Sequence, residues 1–174
     1  MNNAGDGLER NYVVGRAIFE SLSVKYHAPS LYFLGLFDFS GKGGHMDKKR
    51  GLELCQTIGK RAKEFFETKL RIEEQKKSDD IKYYQYGLGL LFDFGHHGKK
   101  DPQRAVELYK LSADNGHSGA MNCLANCYDN GNGCVKNIEK ALEFYEKSAN
   151  LGEVFLFDFF FLSKFYLFFT LSNS

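Results

Sequence analysis

With 174 residues, 43% of them hydrophobic, the chain is long enough for one domain with a continuous core. A net charge of +1 and a pI near 7.7 provide no long-range field to attract nucleic acid or an anionic membrane, so neither is an expected partner on charge grounds. Four cysteines in a chain this size do not make a disulfide scaffold; they suit a reducing compartment, and the cytoplasm is the expected location.

The dominant internal feature is a repeat. DPQRAVELYKLSADNG at 101–116 recurs without a gap as NIEKALEFYEKSANLG at 137–152, a period of 36 residues. An earlier copy lies 54 residues upstream of the first of these, pairing Leu34-Gly35 with Leu88-Gly89 and Glu53-Leu54 with Glu107-Leu108. The surplus over one period is 18 residues, which the sequence places between the first and second units. Self-similarity of this length is the mark of stacked helix pairs, each burying its apolar face only against its neighbours.

In chain order, the N-terminal stretch MNNAGDGLER is polar and lacks the apolar run of a secretory signal. On the repeat ruler Gly15 falls at Ala105's position and Phe19 at Tyr109's. Residues 11–25 therefore read as the second helix of a repeat lacking its first, and residues 1–27 form a polar N-terminus with this half unit. The first full unit spans 28–59. A charged, roughly helical insertion follows at 60–81, where Ile58, Ala62, Phe65, Phe66, Leu70 and Ile72 keep helical spacing among many charges. The plainest reading is that the second helix of unit one runs on to about Lys77. At about 1.5 Å per residue thirty residues would reach about 45 Å, so part should project or fold back, and a docking helix for a partner is the functional alternative.

The second unit covers 82–117 and the third 118–152. In each, an apolar stripe opens the unit: Tyr84, Leu88, Leu91 and Phe92, then Ala120, Leu124, Cys127 and Tyr128. Glycines at 41, 43, 95, 131 and 133 suit the tight turn that follows. Asp47, Asp101 and Asn137 then stand where a second helix needs an N-cap, and Pro102 suits its first turn. That helix presents Ala105, Leu108, Tyr109, Ser112 and Ala113, matched by Ala141, Phe144, Tyr145, Ser148 and Ala149. The predicted fold class is all-α: an α-solenoid of helix-turn-helix repeats, about three hairpins and a half unit in a right-handed stack.

From 153 to 174 the chain is Phe-rich. Three readings compete: a capping helix, a membrane anchor over Val154–Leu171 interrupted by Asp158 and Lys164, and a gene-model artefact, since Phe, Leu, Tyr, Lys, Asn and Ser share A/T-rich codons. Under the third reading the native protein has further repeats.

The pattern small-x3-Leu-Gly-x2-Tyr-x2-Gly-x-Gly, then Asp, then Ala-x3-Tyr-x3-Ala-x2-Gly, is similar to the Sel1-like repeat. The third unit carries it on Ala120, Leu124, Ala125, Tyr128, Gly131, Gly133, Cys134, Asn137, Ala141, Tyr145, Ala149 and Gly152. The second carries it on Leu88, Gly89, Phe92, Gly95, Asp101, Ala105, Tyr109, Ala113 and Gly116. The first departs from it, with Asp38 for an aromatic, Gly51 for alanine and Cys55 for tyrosine. The resemblance implies adaptors that assemble protein complexes, including those of endoplasmic-reticulum-associated degradation and cell-wall synthesis regulation, so an endoplasmic-reticulum association is the second localisation it allows. It implies no catalytic residue. Relatives that close each helix pair with a disulfide use positions occupied here by Ala149 and Ala120.

No cofactor, metal or small-molecule substrate is expected. Cys123, Cys127 and Cys134 with His117 have a loosely zinc-like spacing, yet their repeat equivalents are packing residues, which makes them structural thiols. His96-His97 reads as a solvent-facing pair in a turn, and Gly41-Lys42-Gly43-Gly44 as the inter-helix turn of unit one. No nucleophile has a nameable base, so no enzyme is proposed. The expected function is a non-enzymatic protein–protein interaction scaffold, binding partners on the concave face formed by first helices. The candidate residues are Tyr86, Leu90, Asp93, Asn122, Asn126 and Asp129, with Tyr32, Leu36 and Phe39 in unit one. The alternative is a membrane-tethered assembly factor held by the C-terminal tail.

Overall fold

The computed structural model describes residues 4–23 and 27–151. Among the described residues the chain is all-helical, with no strand: α1 Ala4–Ser23, α2 Ala28–Ser40, α3 Lys48–Lys76, α4 Ile81–Phe94, α5 Pro102–Asp114, α6 Ser118–Asn130 and α7 Ile138–Asn150. Gly152 and the Phe-rich tail, with its three readings, lie outside the described residues. The helices fall into two compact units, one of the described residues up to 62 and one of those from 63 onward.

In the first unit α1 begins well before residue 11, so residues 11–23 of the half unit predicted over 11–25 are part of a longer helix. Tyr12, Phe19 and Leu22 of α1 pack with Leu34 and Phe37 of α2. Phe33 stacks on Phe19 at 5.4 Å and Phe37 meets Phe19 edge-on at 5.3 Å. Helix α2 then lies close against the start of α3. A Cβ on Gly51 would fall 2.5 Å from the Phe39 amide nitrogen, and one on Gly35 2.7 Å from Cys55 Sγ. Two glycines therefore set this spacing, where the later hairpins carry alanine at the position of Gly51.

In the second unit the latter part of α3 lies along α4. Phe66 is buried against Gly87, where any Cβ would strike its ring, and Phe65 approaches Tyr84 at 6.5 Å. The charged segment thus does not project as a bare arm; one side of it is packed, with Glu73 buried there and Lys63 Nζ 5.4 Å from the centre of the Phe92 ring.

The same set of hydrogen bonds builds three hairpins. Gly41, Gly95 and Gly131 sit in the left-handed region at φ 75°, 73° and 72°, each donating its N–H to the carbonyl four residues back. The amides of Asp47, Asp101 and Asn137 donate to the carbonyls of Asp38, Phe92 and Tyr128 at 2.8–2.9 Å. Their side chains then accept from the amides of Arg50, Arg104 and Lys140 at 2.9, 3.0 and 2.9 Å, capping the second helix. The second and third hairpins share a further lock: Ser112 Oγ donates to the Lys82 carbonyl at 2.7 Å, and Ser148 Oγ to the Ser118 carbonyl at 3.0 Å. The first hairpin has Ile58 at that position.

Candidate partner-binding surface

The six candidate residues lie on α4 and α6, the first helices of the second and third hairpins. Helix α4 is apolar around most of its circumference, and residues 83–91 are all buried. Tyr86 is 6% exposed, stacked on His117 at 4.4 Å and tilted against Tyr109 at 6.3 Å. Leu90 is 5% exposed. Both face the interior, so the sequence spacing that put them on an outer strip does not describe their surroundings. The physical reason is that α4 is packed by α3, by α5 and by the chain entering α6.

Asp93 is half-buried and already engaged. Tyr109 Oη donates to its Oδ2 at 3.3 Å, and Asn132 Nδ2 donates to its Oδ1 at 2.9 Å. The carboxylate thus ties α4 to α5 and to the turn after α6. One period on, the Tyr145 phenol is pushed above its ordinary value by burial first and by the nearby Asp129 charge second.

Asn122 and Asn126 are exposed on α6, and Asp129 beside them is half-buried. Asn130 Nδ2 donates to Asn126 Oδ1 at 2.8 Å. These three residues form a short polar row of amides and one carboxylate, able to accept and donate hydrogen bonds to a peptide backbone or polar side chains. In the first hairpin Tyr32 is buried, Leu36 half-buried and Phe39 exposed.

The chemistry of the remaining candidates is muted. Burial raises the Cys55 thiol to about 12, with Asp38 adding to it, and raises Cys127 to about 12, with Asp93 adding to it; both are protonated and inert at neutral pH. The histidine pair is not turned to solvent: His97 packs edge-on to Phe92 at 4.6 Å with Nδ1 2.9 Å from the Leu91 carbonyl, and His96 stacks on Phe94 at 5.4 Å. Sequence reasoning also missed a small cavity of about 150 Å³ in the second unit, lined by Leu70, Leu88, Phe92 and Leu108 together with Glu67, Arg71, Glu74 and Arg104. Its signal was the apolar spacing that continues into the charged segment. Among the described residues no helix is long and apolar enough to cross a membrane.

Comparison with known proteins agrees with the repeat pattern. The Sel1 repeat family matches residues 82–117 and 118–153. The rat "DAP3-binding cell death enhancer 1" is 40% identical over 65 residues, covering 37% of this chain and 12% of that protein. The "Exopolysaccharide production negative regulator" of Rhizobium leguminosarum bv. viciae is 38% identical over 64 residues, covering 36% of this chain and 24% of that protein. The chain thus spans a quarter or less of the length of these relatives. Among solved structures, a Sel1 repeat protein from Oxalobacter formigenes aligns at TM-score 0.40 and 24% identity, over 72% of this chain and 31% of that one. A protective antigen of uropathogenic Escherichia coli with an SLR fold aligns at TM-score 0.41 and 21% identity, over 77% and 25%. The chain carries two Sel1 repeats, at residues 82–117 and 118–153.

Proposed function

We propose that the protein is a non-enzymatic scaffold that binds other proteins through the polar row Asn122, Asn126 and Asp129. The observation that carries this reading is a contrast within one helix: Ala120, Leu124, Ala125 and Cys127 are buried in repeat-defined positions, while Asn122 and Asn126 between them are exposed and free of any packing duty. A side chain that the fold does not need is available for recognition. Helix α2 with the start of α3 is read as a third, divergent unit of the same kind, because its cap and turn hydrogen bonds coincide with those of the two recognised repeats.

Introducing charge tests the reading. Asn122→Lys with Asn126→Lys should leave the thermal unfolding midpoint nearly unchanged, since both are exposed and surface substitutions typically stay within about 0.5 kcal/mol. It should also release at least one protein that the unaltered chain binds directly. A variant that keeps every such partner at full affinity contradicts the assignment.

A further inference from the structure

The cavity of the second unit is walled by three described helices. Glu67, Leu70, Arg71 and Glu74 come from α3, Leu88 and Phe92 from α4, and Arg104 and Leu108 from α5. The α3 residues share one helical stripe, so the charged insertion supplies a whole wall that the later hairpins lack. One period on, the positions of Leu88, Phe92, Arg104 and Leu108 are Leu124, Tyr128, Lys140 and Phe144. There the Phe144 ring stacks on Tyr128 with centroids 6.0 Å apart, and Lys140 Nζ lies 5.4 Å from the centre of the Tyr128 ring. In the second unit leucine stands in place of that phenylalanine, and a space of about 150 Å³ adjoins Phe92. A space of this size between aliphatic and aromatic side chains holds a benzene-sized group. The charges around it are balanced in sign. Glu67 lies 3.5 Å from Lys63, and Arg104 lies 2.7 Å from Glu107. Arg71 and Glu74 are exposed, and their side chains have neither a hydrogen bond nor an ion pair among the described residues.

We propose that this cavity is the docking site for an aromatic side chain of a partner protein, flanked in that partner by one acidic and one basic residue. The ring takes beside Phe92 the place that Phe144 takes beside Tyr128, where an offset or edge-on aromatic pair is favourable. The flanking carboxylate meets the Arg71 guanidinium, and the flanking cation meets Glu74, so the partner's charges complement the two that have no mate. A buried aromatic anchor ringed by weaker polar contacts is the usual energetic plan of a protein interface. The proposal rests on the scaffold reading but names a second surface. It shares no residue with the Asn122–Asn126–Asp129 row, so either assignment can fail alone.

The test titrates the full chain, isotope-labelled, with the capped peptide Gly-Asp-Phe-Lys-Gly. The expected result is saturable amide shifts at Leu70, Leu88, Phe92 and Leu108, with affinity at least about tenfold lower when alanine replaces the peptide's phenylalanine. Leu108→Phe supplies the ring from within, as the next hairpin does, and should abolish the shifts while the thermal midpoint stays level or rises. Arg71→Glu should weaken binding about threefold to fivefold, since an exposed ion pair is worth little. Arg71 is exposed, so its replacement spares the fold and keeps the test decisive even if Leu108→Phe overpacks the site. Absence of saturable shifts at those amides overturns the proposal, as does equal binding of the alanine peptide. Unaltered affinity in Arg71→Glu, or in a cooperatively folded Leu108→Phe, overturns it as well. Contacts from residues 153–174 to Phe92 and Leu108 in the free protein would make the chain's own tail the occupant and overturn it too.

Discussion

Asp38 stands where the later hairpins carry Phe92 and Tyr128, and its carboxylate is only 1% exposed. A lone buried charge at an aromatic position would be prohibitive, and the chain answers it with two arginines: Arg16 of α1 donates to Oδ1, and Arg50 of α3 lies 3.4 Å from Oδ2. Aromatic packing has been exchanged for an ion cluster that joins three helices of the first unit. Asp38→Asn keeps the shape but takes away the buried partner of Arg16, leaving it only the exposed Glu20 carboxylate at 3.0 Å. It should destabilise the protein by about 3 kcal/mol in denaturant unfolding; a change below about 0.5 kcal/mol would mean the cluster is solvated and idle. His96 gives a second residue-scale expectation. Burial first, then the charges of Lys100 and His97, hold its imidazole below the ordinary 6.5. The unfolded chain therefore takes up this proton first, so stability should fall as pH drops from about 6.5 through the lower folded-state value. His96→Gln should flatten that part of the stability–pH curve, and an unaltered slope would assign it to other groups.

At the scale of elements, the caps and turns were the most legible part of the sequence. Asp47, Asp101, Asn137 and the glycines at 41, 95 and 131 act through local backbone geometry, which residue type alone nearly determines. Packing between helices was less legible. The spacing around Phe65 and Phe66 suggested a helix but could not name Gly87 as the surface that receives Phe66. Tyr86 and Leu90 were misplaced because helical periodicity assumes one free face, whereas α4 has neighbours on nearly every side. Gly51 is instructive in the same way. In an ordinary helix interior Gly→Ala gains about 1 kcal/mol. Here the new Cβ would fall 2.5 Å from the Phe39 nitrogen and 2.6 Å from the Gly35 carbonyl, backbone atoms that cannot swing aside. Gly51→Ala should therefore lower the thermal midpoint, and a raised midpoint would show that α2 and α3 sit farther apart.

For the molecule as a whole, repetition separates structure from recognition. Residues that recur with the 36-residue period, such as Ala105 with Ala141 and Ser112 with Ser148, hold the hairpins together. Exposed residues at intervening places, such as Asn122 and Asn126, carry no such duty and so can serve recognition. The fold class and the period were readable from sequence because stacking is a nearest-neighbour property. The proposed binding row was only partly so: on α6 Asn122 and Asn126 are exposed and Asp129 half-buried, while its α4 half is buried or spent on Asp93's internal hydrogen bonds. The most direct measurement is site-specific photo-crosslinking in cells, with a photoreactive residue at Asn122 or Asn126 and, as control, at exposed Glu107 on α5. Discrete protein adducts from 122 and 126, absent from 107, are the predicted result. Equal adducts at all three positions, or none at 122 and 126, would contradict the scaffold reading of this surface.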